Sequence, residues 1–212
     1  MTRHNPPLDP RKQPRQSRSK ATVAAIFEAA AHILERQGLA GFTTNAVAER
    51  AGVSIGSLYQ YFPSRDAILA ALIRDQREAL LAALTAADTP PQPDLARFLP
   101  AMIRAAVRHW QARPGLVRSL AYAEAFLPME AETLKLKQRI LGVLAGALTR
   151  HAVPEPLEAA RDLAALTRGM ADATGLFGPS DPATLEARIL RAVRGYLGQE
   201  PALQPGNPAA QA

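Results

Sequence analysis

Cysteine is absent from the 212-residue sequence. That absence removes disulfide scaffolds, thiolate zinc sites and cysteine nucleophiles together, and it fits a reducing, cytoplasmic setting. Aromatic residues are sparse at 5%, with a single tryptophan. No segment alternates apolar and polar residues as a half-buried strand does. The longest apolar stretch worth testing as a membrane span, Ile140–Leu148, has nine residues, against the roughly 20 that a hydrocarbon core requires. Its Gly142-x-x-x-Gly146 therefore reads as a site of close helix packing instead of a membrane dimer motif. The polar first 20 residues contain no apolar segment, so no signal peptide is expected. The histidines (His4, His32, His109 and His151) lack metal-ligand spacing, and no HExxH, nucleophile elbow or phosphate loop occurs. Glu28, Glu35 and Glu49 read as solvated helix faces. Neither catalysis nor a cofactor or metal is expected.

What is present is a localised charge. The net charge is +6, and residues 1–20 account for +5 of it, with Arg3, Arg11, Lys12, Arg15, Arg18 and Lys20 against Asp9. Such a segment lacks the apolar content to fold alone. It reads either as a solvated tail or as an arm that meets nucleic-acid phosphates.

Beyond Lys20 nearly everything reads as helix, so the fold class is all-α. Val23, Ile26, Phe27, Ala30, Ile33 and Leu34 form one apolar stripe, and Gly38 is placed to end that helix in a left-handed cap. A short helix starts at Thr43 or Thr44 and runs to about Ala51. Gly52-Val53-Ser54 turns the chain, and Ser54 caps a third helix that reaches Phe62. Ser64 caps a fourth, in which Asp66 complements the helix dipole. Three prolines within Asp88–Asp94 interrupt the pattern. Helices are then expected over about 95–112, 114–127, 129–151, 155–177 and 182–198. The expected division is a basic flexible arm over 1–20 and a helix-turn-helix domain over 21–66, with its motif at 43–62. A regulatory and dimerisation domain over 67–198 and a disordered tail over 199–212 complete it.

The two short helices within Thr43–Phe62 are too short to persist alone. They must pack on the first helix through Val47, Ala48, Val53, Leu58 and Phe62. That leaves Ile55, Gly56, Ser57, Tyr59, Gln60 and Tyr61 on a face short of charge and rich in hydroxyl, amide and aromatic groups. A helix of this size fits the major groove; an ordinary three-helix cluster with solvent-facing tyrosines has the same spacing.

The run Thr43-Thr44, Ala51-Gly52-Val53-Ser54, Gly56-Ser57-Leu58-Tyr59, Tyr61-Phe62 and Ser64-Arg65 resembles the DNA-binding domain of the TetR family, without a gap from Val23 to Leu72. The resemblance implies a sequence-specific DNA-binding transcriptional regulator, most simply a repressor, that works as a homodimer on a near-palindromic operator in double-stranded DNA. It implies phosphate contacts from Thr44, Ser57, Tyr61 and Arg65, the last standing where the family usually carries lysine. It places Ile55, Gly56, Tyr59 and Gln60 nearest the bases, with Asn45 at a base or a phosphate. Thr43 and Ser54 complete the set at the two helix starts, and Arg18 and Lys20 extend it into the arm.

For the remainder, the resemblance implies a chamber for a small-molecule effector and a pair of closing helices that dimerise. Phe98, Met102, Trp110, Tyr122, Phe126 and Met170 are candidate walls for a largely apolar effector, or else plain core. Glu124 and Asp172 can orient a polar group of that effector, or lie salt-bridged at the surface. Leu157, Ala160, Ala164 and Ala171, with Leu185, Ile189, Val193 and Tyr196, are the expected dimer interface. The competing reading is a helical dimeric interaction module without specific DNA affinity.

Overall fold

The computed structural model describes residues 8–10, 17–178 and 180–199, without the side chains of 17, 18 and 175–177. Nine helices and no strand occur among them. These are α1 (Ser17–Gln37), α2 (Thr44–Arg50), α3 (Ile55–Tyr61), α4 (Arg65–Ala87), α5 (Leu95–Ala112), α6 (Pro114–Glu124), α7 (Glu130–Arg150), α8 (Pro156–Phe177) and α9 (Pro182–Tyr196). The all-α expectation holds, and the helix bounds differ from it mainly at ends. The first helix begins at Ser17, inside the expected arm, and α6 stops three residues early because Ala125–Leu127 form a tight turn of successive i→i−3 bonds. Pro100 lies within α5. The rest of the expected tail, 200–212, falls outside the described residues.

The chain forms two compact units, one from Met1–Ala83 with His109–Ile140, the other from Leu84–Arg108 with Leu141–Ala212. In the first, Ile26, Ala30, Ile33 and Leu34 of α1 are buried with Phe42, Val47, Leu58, Phe62, Ile68 and Leu69. Leu116, Leu120 and Ala123 of α6 join the same core. Each large aliphatic side chain so buried contributes about 1.5–3 kcal/mol.

The approach of α6 to α1 leaves no room for a side chain. A Cβ on Gly115 would stand 2.8 Å from the Glu35 carbonyl oxygen. Ser119 Oγ donates to the Leu34 carbonyl at 3.0 Å, and Arg113 bridges Glu28 at 2.9 Å and Glu35 at 3.2 Å. Glu28 and Glu35 are thus ion-paired, where the sequence suggested solvated faces.

Leu8 packs against this core, and Arg74 donates to the Leu8 carbonyl at 3.2 Å and to Asp9 Oδ1 at 3.0 Å. Arg74 also holds Glu132 at 2.8 Å. At Leu8 and Asp9 the expected free arm is therefore tied down. The Arg74 hydrogen bond holds the Glu132 carboxyl below its ordinary value of 4.5.

In the second unit α8 packs on α9. Its buried residues include Phe98, Leu99 and Met102 of α5, Leu144 and Leu148 of α7, Ala159, Ala160 and Leu163 of α8, and Leu185, Ile189 and Val193 of α9. Gly142 and Gly146 are exposed, and a Cβ at either would meet nothing. The close helix packing expected at that pair is not made within the chain.

The ends of α2 and α7 are closed by the same pair of bonds. The amide of Gly52 donates to Glu49 and that of Val53 to Ala48, a paired cap that requires left-handed backbone at Gly52, where φ is 66°. The end of α7 repeats the pattern, Ala152 to Thr149 and Val153 to Leu148, but the left-handed position holds Ala152 at φ 54°. A Cβ is disfavoured there by about 1 kcal/mol.

Two outcomes follow for stability. Ala152→Gly should raise the unfolding free energy by about 1 kcal/mol, read as a higher urea midpoint at unchanged slope; an unchanged midpoint would show that the loop strains no side chain. Because the folded Glu132 carboxyl titrates low, its stabilisation is complete above 4.5 and lost as pH falls through the lower folded value. Glu132→Gln should therefore flatten the acid limb of a pH–stability profile while leaving the alkaline limb unchanged.

Candidate nucleic-acid interface

Two short helices meet at the surface of the first unit, and their starts are fixed by side-chain caps. Thr43 Oγ1 accepts the Ala46 amide at 3.1 Å, and Ser54 Oγ accepts the Ser57 amide at 3.1 Å. Both capping hydroxyls neutralise amides that a helix start otherwise leaves unpaired. Thr43 and Ser54 thus have structural work in the free protein. Ser57 Oγ lies 2.8 Å from Ser54 Oγ, which orients it as well.

Leu58 is fully buried and forms the inward side of α3. The outward side carries Ile55, Gly56, Tyr59 and Gln60, all exposed, with Ser57 and Tyr61 half-buried at its flanks. Thr44 Oγ1, at the first residue of α2, lies 3.2 Å from the Tyr59 hydroxyl. That bond ties the two helices together across their exposed side, next to exposed Asn45. The structure therefore gathers Thr43, Thr44, Asn45, Ser54, Ile55, Gly56, Ser57, Tyr59, Gln60 and Tyr61 on two adjoining helices. Lys20 is exposed on α1, and the side chain of Arg18 lies outside the described residues.

Gly56 has open space on its free side. A Cβ there would approach only Ser54 Oγ, at 3.9 Å. Nothing in the fold therefore calls for glycine at this position.

Arg65 is the member whose surroundings differ most from the sequence reading. Its Nε donates to the Phe42 carbonyl at 2.8 Å and its Nη2 to the Leu39 carbonyl at 3.0 Å. The guanidinium also sits 5.6 Å from the Phe42 ring centre, within cation–π range. Two nitrogens of the fork are committed to the α1–α2 loop. Sequence reasoning missed this tie because its acceptors are backbone carbonyls, 26 and 23 residues away, which no motif marks. A planar fork reaches both; an ammonium cannot do so with the same geometry.

The expected effector walls fall in different units. Phe98 and Met102 are buried and Met170 half-buried in the second unit, whereas Trp110 is half-buried in the first. Tyr122 and Phe126, also in the first, are 64% and 71% exposed and stack with ring centres 5.0 Å apart. As surface residues those two enclose no chamber within their unit. Glu124 pairs with Arg77 and, at 3.6 Å, with Lys137, while Asp172 pairs with Arg168 at 2.7 Å. Both acids thus take the salt-bridged alternative.

The expected dimer stripe also needs correction. Ala160, Leu185 and Ile189 are fully buried, Val193 is 1% exposed and Ala171 9% exposed within one chain, and Ala164 is half-buried. That stripe is the face on which the unit closes its own core, so it is not free for a partner. An apolar stripe at helical spacing has the same appearance in either role. Leu157 and Tyr196 are exposed, and the Tyr196 hydroxyl donates to Asp162 Oδ2 at 2.6 Å.

Residues 26–72 match the family model described as bacterial regulatory proteins, tetR family. Over these residues the chain carries a TetR-family domain. No curated protein matches the sequence. Among solved structures, a transcriptional regulator from Rhodococcus sp. RHA1 shares 29% identity at a TM-score of 0.68, over 85% of this chain and 95% of that one. The TetR-family regulator PfmR from Thermus thermophilus shares 21% at 0.67, over 80% and 97%. A TetR-family regulator from Streptomyces coelicolor shares 22% at 0.68, over 85% and 97%; at these two identities the likeness concerns the fold. The chain is a DNA-binding transcriptional regulator of the non-enzymatic kind. Among the described residues no helix is long and apolar enough to cross a membrane, and no group of acids and histidines can hold a metal.

The Arg65 geometry generates a prediction. Arg65→Ala leaves two part-buried carbonyls without their donor and should destabilise the first unit by about 1–3 kcal/mol. Arg65→Lys should recover little of that stability, measured by thermal unfolding. Unchanged melting of the alanine variant would return the residue to a purely phosphate-binding role.

Proposed function

We propose that the protein is a homodimeric, ligand-responsive repressor that inserts α3 into the major groove of a near-palindromic operator. The observation that carries this reading is the pairing of an exposed, uncharged, hydrogen-bonding α3 face with the Thr44–Tyr59 bond that fixes it to α2. Ile55, Gly56, Tyr59 and Gln60 face base edges, Asn45 a base or phosphate, and Thr44, Ser57 and Tyr61 phosphates. Thr43 and Ser54 hold the two helix starts at the backbone. Arg65 acts first by setting the loop that carries α2, and its charge favours a nearby phosphate. Lys20 and Arg18 add positive charge at the start of α1.

Dimerisation uses the outward faces of α8 and α9. Leu157, Ala165 and Gly169 form an exposed stripe on α8, and Ala187 and Arg191 on α9. Small residues allow close helix approach across a two-fold axis, as a four-helix interface requires. The effector is a small, largely apolar molecule, and Phe98, Met102 and Met170 are the residues of the second unit suited to it. Its binding releases the operator by favouring a dimer in which the two α3 helices no longer match the half-site spacing.

Selection from a random duplex library with purified protein tests the reading. A near-palindrome should be enriched, and Tyr59→Ala should abolish the enrichment while the dimer persists. If no sequence is enriched by an intact dimer, the chain is an interaction module without specific DNA binding.

Gly56→Ala separates fold from recognition. A helical Gly→Ala change in open space should stabilise by up to about 1 kcal/mol, yet the methyl group would stand between α3 and the groove. Melting temperature should rise while operator affinity falls by about tenfold or more. Unchanged operator affinity would place position 56 away from the DNA.

A further inference from the structure

The second unit contains a cavity of about 320 Å³ where the α7–α8 corner meets the end of α9. Leu95, Val153 and Ala159 give it apolar walls, and His151, Glu155 and Tyr196 bring three different polar groups to it. None of these six belongs to the DNA-binding face or to the effector set.

His151 follows the last residue of α7, and its ring lies 5.8 Å from that of Phe98. Its Nε2 is shielded from solvent and has no hydrogen-bond partner. A buried polar atom without a partner is uncommon in folded proteins, and here it belongs to a residue that lines a cavity.

Glu155 is the second unusual feature. It precedes α8 with φ 46° and ψ 55°, left-handed backbone on a residue with a Cβ, and its side chain caps no amide. Ala152 adopts similar backbone to close the cap of α7; Glu155 has no such pattern to serve. A residue held there at a strained angle calls for a reason in its surroundings.

The charged groups that act on Tyr196 are acidic. Glu155, Glu158 and Asp162 all act on the Tyr196 hydroxyl, and the hydrogen bond to Asp162 is the main reason that its pKa lies above the ordinary value of 10.0. Glu158 is partly offset by Arg161 at 2.5 Å. Among the described residues lining the cavity there is no lysine or arginine. An anion would meet uncompensated carboxylates, and a neutral apolar molecule would leave Glu155 and the imidazole unused. A cation with an apolar body suits all the walls. The Tyr196 ring and the Glu155 carboxylate attract the charge, and the aliphatic walls cover the body.

We propose that this corner is a binding site for a small organic ammonium ion, with Glu155 and Tyr196 taking the charge and Leu95, Val153 and Ala159 the hydrocarbon. The site is independent of the operator reading, because all its residues lie in the second unit and its test needs no DNA.

The test titrates the full chain with benzylammonium in a calorimeter, with benzyl alcohol as the uncharged control. Saturable binding, one per chain, is expected for the cation, at least about tenfold tighter than for the alcohol. Glu155→Gln should lower the affinity by about tenfold and Tyr196→Leu by a similar factor. Both residues are exposed, so melting temperatures should verify that the variants remain folded. Movement of the His151 ring resonances in the wild type on titration locates the ligand. Equal binding of the alcohol, equal affinity in Glu155→Gln, or no saturable binding up to millimolar cation would each overturn the proposal.

Discussion

The DNA-binding half of this protein depends on a length constraint. α2 and α3 have seven residues each, below what an isolated helix needs to persist in water. They exist because α1 offers Ile26, Ala30 and Leu34 as a floor for Val47, Leu58 and Phe62, and because each has a hydroxyl cap at its start. The exposed residues of α3 are consequently only as well placed as the packing behind them. The Arg65 tie to the Leu39 and Phe42 carbonyls belongs to that support: it fixes the loop from which α2 departs.

The DNA-binding half was also the most legible part of the sequence. Stripe, glycine turn and cap are all short-range signals, and they place α1 to α4 within a few residues. Thr43, Ser54 and Gly52 are legible because a cap or a left-handed turn tolerates few residue types. Arg65 was misjudged in emphasis because its partners are backbone atoms distant in sequence. Distance in sequence also hid the Arg74 clasp on Leu8 and Asp9, whose acceptors lie 66 and 65 residues away.

Legibility fell in the C-terminal half for a different reason. Periodicity shows that a helix face is apolar, but not which neighbour covers it. Leu185, Ile189 and Val193 satisfy an intrachain core and a dimer seam equally well as a pattern; only burial decides, and it gives them to the core. Tyr122 and Phe126 show the converse, since aromatic residues expected inside lie stacked on the surface. The corner at Glu155 left no trace in the sequence, because a strained backbone angle on an ordinary residue has no compositional signature.

Gly115 against the Glu35 carbonyl has a mechanical meaning. Where two helices touch through side chains, part of a small push can be taken up by rotamer changes. Here backbone meets backbone, and the junction is stiffened by Ser119 on Leu34 and by Arg113 on two carboxylates. With so little to compress, a tilt imposed on α1 or α6 meets backbone instead of a side chain that can turn aside. Lubricating that joint would take no larger change than lengthening the gap by one methylene.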